Sequence, residues 1–88
     1  MKVELYIPGT TSLKEKRFVL KSVKTRIQNR FNVSIAEVDW MDKWQRTCLG
    51  IVCVSNDHRF LESTLAKVVN AIEQESRVEM TDQRMEIL

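Results

Sequence analysis

The chain has 88 residues, of which 43% are hydrophobic and 30% charged, with two glycines, one proline and a formal net charge of +2. This length provides one domain with one modest core and leaves no room for separate cofactor and substrate domains. The composition is that of an ordinary globular chain and excludes disordered, collagen-like and membrane-spanning classes.

Val3, Leu5 and Ile7 alternate with Lys2, Glu4 and Tyr6, which predicts a half-buried strand over 2–8, stopped by Pro8-Gly9. Ser12-Leu13-Lys14-Glu15 reads as a capping box opening a helix that runs to about Asn29, with Leu13, Leu20, Val23 and Ile27 on its covered face. A second strand is expected over 32–39, where Val33, Ile35 and Glu37 alternate with Ser34, Ala36 and Val38. After a Trp40–Gln45 hairpin, the apolar run 46–54 predicts a central third strand covered on both faces. Ser55-Asn56-Asp57 offers three N-caps for a second helix, in which Leu61, Leu65, Val68, Val69 and Ile72 recur at helical spacing to about Ser76. Val78 and Met80, then Met85 and Ile87 out of phase, predict a final strand with an irregularity near Asp82-Gln83.

The order β-α-β-β-α-β, with right-handed crossovers, gives an α+β ferredoxin-like sandwich: a four-stranded antiparallel sheet with two helices on one face. The whole chain, 1–88, forms this one domain. The open face would carry Tyr6, Ala36, Val38 and part of the third strand, an apolar patch that favours a homodimer. No apolar run approaches the ~18 residues a membrane helix needs. The start Met1-Lys2-Val3-Glu4 has no apolar signal segment, so a cytoplasmic protein without membrane association is expected.

Pro8-Gly9, Ser12-Leu13-Lys14-Glu15-Lys16-Arg17, Phe31-Asn32-Val33-Ser34, Glu37-Val38-Asp39, Trp44-Gln45-Arg46 and Val54-Ser55-Asn56-Asp57 together resemble the bacterial YlxP-like family of unknown function. The resemblance covers nearly the whole chain. It implies a small ferredoxin-like domain, often encoded beside translation-initiation and ribosome-maturation genes, with no established activity. Trp40 departs from the family pattern, standing where a polar side chain is expected.

Charge is sorted along the chain. Seven of the 14 basic residues lie between 14 and 30 against the single acid Glu15, so this segment carries +6 and the remainder −4. Lys14, Arg17, Lys21 and Lys24 fall at i, i+3, i+7 and i+10, one stripe beside the apolar one, and Lys16, Arg26 and Arg30 add to the same helix. Two readings account for the sorting: a solvated face paired with acidic strands, or a surface that binds RNA or another polyanion through counterion release. Phe18, near Lys14 and Lys21, either stacks on a base or packs under a loop or at a dimer contact.

Trp40 and Trp44 are expected to fix the hairpin to the fold or to a second subunit. Glu37 and Asp39 share a strand face and are expected to pair with Arg46 across the hairpin. Cys48 and Cys53 point to opposite faces of one strand and are read as reduced thiols. His58 lacks a nucleophilic partner, the glycines form no phosphate-binding loop, and the soft ligands are too few for zinc, so no catalytic residue, metal or cofactor is assigned. The expectation is a non-enzymatic domain associated with RNA or a ribosomal particle through Lys14, Lys16, Arg17, Lys21 and Lys24. Tyr6, Phe18, Val38, Trp40, Trp44 and Arg46 are its candidate partner or interface residues. The alternative is a regulatory or scaffold homodimer that binds a protein or an anionic metabolite through the Trp40–Arg46 hairpin.

Overall fold

The computed structural model describes residues 1–86; Ile87, placed by its pattern in the last strand, lies outside the described residues. Its elements follow the expected order: β1 (Lys2–Tyr6), α1 (Leu13–Arg30), β2 (Ser34–Asp39), β3 (Arg46–Val52), α2 (His58–Glu73) and β4 (Glu79–Arg84). The strands form an antiparallel sheet in the order β2-β3-β1-β4, a ferredoxin-like arrangement with the two most apolar strands at its centre.

Alternation decides which face each strand buries. Val3, Leu5, Ile35, Leu49 and Ile51 point to one side and share a single core with Val19, Leu20, Val23 and Ile27 of α1 and Leu65, Val68, Ala71 and Ile72 of α2. Val78 and the half-buried Met80 complete that core beside β4. Asp57 caps α2, its carboxylate accepting the Arg59 and Phe60 N–H groups, so the last of the three offered caps is the one used.

Both edge strands carry one extra residue. Leu5 pairs with Met80 and Glu4 with Asp82, which leaves Thr81 as the bulge, just before the irregularity expected at Asp82-Gln83. In β2, Glu37 pairs with Leu49 and Asp39 with Cys48, leaving Val38 unpaired in the same way.

The open face differs from the apolar patch that alternation suggested. Lys2, Glu4, Asp39, Asp82 and Arg84 line a depression with Val38 around Cys48, so charged side chains occupy much of it. β3 is correspondingly not covered on both sides along its whole length. Cys48 is buried, but Gly50 is half-buried and Val52 exposed. Gly50 serves packing here, because a Cβ at this position would come within 2.9 Å of Val38 Cγ1.

Candidate nucleic-acid interface

The N-terminus of α1 is set by its own residues. The Ser12 hydroxyl accepts the Glu15 N–H at 3.1 Å, and the Glu15 carboxylate accepts the Thr11 N–H at 2.8 Å, closing the box one residue before the cap. From this start, Lys14, Arg17 and Lys21 are exposed and Lys24 half-buried along one side of the helix. The stripe spans about 15 Å at 1.5 Å per residue. Among the described residues none of the four forms an ion pair.

Lys16 does not belong to this surface. It is 1% exposed, its Nζ lies 2.8 Å from Glu37 Oε2, and it donates to the Trp40 carbonyl at 2.7 Å. Glu37 also accepts the Thr47 hydroxyl at 2.6 Å. Lys16 therefore holds α1 to β2 and the hairpin and cannot reach a phosphate outside, which removes it from the expected nucleic-acid-binding set. The same arrangement overturns the expected Glu37–Arg46 pair, since Glu37 faces the helices while Arg46 stands on the open side of the sheet. The other two basic residues of α1 are also engaged: Arg26 donates to Glu75 at 2.8 Å, and the Arg30 guanidinium lies 5.2 Å from the Phe31 ring centre.

Phe18 is 71% exposed and packs under no loop. It forms one wall of an open groove between α1 and the turn after β1, lined also by Ile7, Pro8, Gly9, Lys14, Val19 and Arg77. On its other side a second depression runs past Lys21 and Ser22 to Asn29. Phe18 therefore stands as a ridge between two grooves, with Lys14 and Lys21 on either side.

The hairpin is tied down by backbone groups more than by its tryptophan rings. Thr10, buried and not singled out by sequence reasoning, places its hydroxyl 2.6 Å from the Trp44 carbonyl and 2.9 Å from that of Ile7. The Gln45 side chain donates to the Thr10 carbonyl, and the Ile7 N–H to the Gln45 carbonyl. Trp40 adopts a left-handed φ of 59°, and the Arg46 guanidinium lies 4.2 Å from its ring centre, a cation–π contact. Trp44 is 55% exposed and Met41 58%, so Trp44 does not fix the hairpin as expected of both tryptophans, while Trp40 is half-buried. Tyr6 is half-buried and Val38 exposed, both on the open sheet face.

Away from α1's outer face, Glu75 is buried between two arginines. Hydrogen bonding from Arg77 is the main cause that lowers its carboxyl to about 2, with Arg26 adding to the effect and burial opposing it. Burial, reinforced by Glu4, pushes the Cys48 thiol up; Cys48 and Cys53 are both free. Among the described residues no three His, Cys, Asp or Glu side chains gather to hold a metal ion, and no helix is long and apolar enough to cross a membrane.

Comparison with known proteins places this sequence in a family. The chain is 46% identical over 83 residues to the uncharacterized protein YlxP of Bacillus subtilis (strain 168), covering 94% of this chain and 90% of that protein. The family described as "Protein of unknown function (DUF503)" matches residues 1–85. On both grounds the chain belongs to the DUF503, YlxP-like family.

Proposed function

We propose that this protein is a non-enzymatic domain that associates with RNA or a ribonucleoprotein particle through the outer face of α1. The observation that carries the reading is the row of Lys14, Arg17, Lys21 and Lys24, free of ion pairs among the described residues while Lys16 and Arg26 of the same helix are consumed internally. Four cations left facing solvent on one helix gain by displacing counterions from a phosphate chain, and no base recognition is required. The genomic setting that the family resemblance implies, beside ribosome-maturation genes, agrees with such a partner.

The test is a fourfold reversal of Lys14, Arg17, Lys21 and Lys24 to glutamate, which leaves the core and the helix propensity intact. Binding to RNA or ribosomal particles at low salt should collapse. Each single reversal should lower the slope of log affinity against log salt by about one for every phosphate no longer neutralised. Unchanged sedimentation with ribosomal particles by a folded fourfold variant would reduce the stripe to a solvated face.

A second reading, a regulatory homodimer, draws on the exposed Val38, Val52 and Val54, with Trp44 and Met41 free to meet a protein or an anionic metabolite. Light scattering at micromolar concentration separates it, since a strictly monomeric mass removes the dimer.

A further inference from the structure

We infer that Phe18 is a stacking platform for one unpaired base of single-stranded RNA, with Lys14 and Lys21 holding the phosphates on either side of it. The inference rests on the RNA reading above and goes further by naming the form of RNA and the residue that selects it. A phenylalanine 71% exposed in the middle of a helix has no packing role that requires it. Its ring projects between the groove lined by Ile7, Pro8 and Val19 and the depression past Lys21, so a flat ring has an apolar wall to lie against.

Charge selects the occupant. Lys14 lies four residues before Phe18 and Lys21 three after, so both are neighbours of the ring on the helix surface; Arg77 also lines the groove, but its guanidinium is paired with Glu75, so the lysines supply the free charge. The one acid there, Glu15, is held by Thr11 at the helix start. A π-faced ligand carrying negative charge on both sides matches this arrangement, as an unpaired nucleotide within a strand does. Duplex RNA, whose bases are stacked within the helix, offers the lysines its phosphates but gives Phe18 no ring.

The open sheet face is a poorer platform for bases. Its central depression mixes Lys2 and Arg84 with Glu4, Asp39 and Asp82 and has no aromatic side chain in its lining, and Tyr6 on the same face is half-buried. α1 instead presents an aromatic ring and cations on one surface.

The experiment compares a 12-nucleotide single-stranded RNA with the matching 12-base-pair duplex by fluorescence anisotropy at low salt. The proteins are wild type, Phe18→Ala, Phe18→Leu, Phe18→Trp and the fourfold charge reversal. Because Phe18 lies outside the core, circular dichroism should find every Phe18 variant folded. Stacking predicts that Phe18→Ala weakens single-strand binding by on the order of tenfold, leaves duplex binding unchanged and keeps the salt slope. Phe18→Trp should bind at least as tightly as wild type, and Phe18→Leu should behave like alanine.

Undiminished single-strand binding by Phe18→Ala, with binding abolished in the fourfold reversal, would overturn the stacking site and leave the RNA reading standing. Full single-strand binding by Phe18→Leu would also overturn it, showing that an apolar contact suffices and the aromatic ring is not needed. Failure of the wild type to bind either RNA would overturn both the stacking site and the reading beneath it.

Discussion

Replacing Lys16 with methionine keeps the length of the side chain and removes its charge from a site that is 1% exposed. Two groups then lose a donor: the Glu37 carboxylate, left with Thr47 alone, and the Trp40 carbonyl, which keeps only the Lys43 N–H. Breaking a buried ion pair from one side costs about 3–5 kcal/mol, because the remaining charge stays desolvated. Glu37 keeps 17% exposure, so water can relieve part of the loss, and about 3 kcal/mol is expected. Small domains have a total stability of about 5–15 kcal/mol. With a urea slope of about 1–3 kcal/mol/M, the midpoint should fall by about 1–3 M. The Lys16→Met, Glu37→Gln double variant should recover a large part of this, since glutamine still accepts from Thr47 and no charge is stranded. Urea melts followed by circular dichroism at constant slope measure all four corners of the cycle. A loss below about 1 kcal/mol in Lys16→Met, or strict additivity in the double variant, would refute the claim that this pair joins α1 to the hairpin.

The Glu75 cluster should impose an acid limit on stability. Its folded carboxyl sits at about 2 against an ordinary value of 4.5, so its contribution is complete above pH 4.5 and is lost as pH falls toward 2. Glu75→Gln should therefore be less stable than wild type near pH 6 and lose that deficit across this window; a pH-independent difference in urea midpoint would contradict the assignment. The two tryptophans should behave unequally: Trp44→Ala should cost less than about 1 kcal/mol because the residue is 55% exposed. Acrylamide should quench the remaining tryptophan strongly in Trp40→Phe and weakly in Trp44→Phe, and equal quenching would show that the Trp40 ring is not covered as described.

Much of this fold is legible in the sequence because its signals are local. The Ser12 cap, the spacing of Leu65, Val68 and Ile72, and the β-branched run of β3 act within a few residues of themselves. The exposed stripe from Lys14 to Lys24 is legible for the same reason. Lys16 is easily misplaced because its charge argues for the surface while its position argues against it. It lies four residues before Leu20 and seven before Val23, in the middle of the buried face. Glu37 repeats the case on β2, two residues after the buried Ile35. Two opposite charges, each in phase with a buried face, signal that they meet, but only the packing of α1 on β2 makes them partners. Thr10 is invisible in the sequence for another reason: its hydrogen bonds reach Trp44 and Gln45, 34 and 35 residues away, and nothing in its neighbourhood announces them.

The bulges at Val38 and Thr81 decide how one molecule can meet another. A sheet with two free edges can grow indefinitely by adding strands, and a smooth edge is the usual template for such growth. Here both outer strands break their own ladder rhythm, β2 at Val38 and β4 at Thr81, where the threonine hydroxyl also bonds back to the Glu4 carbonyl at 3.2 Å. An incoming strand would have to reproduce the interruption to keep its hydrogen bonds in step. Open-ended polymerisation along the sheet is thereby disfavoured on either side. Association between copies is left to the broad surfaces, where a contact can close on itself and stop at a finite size.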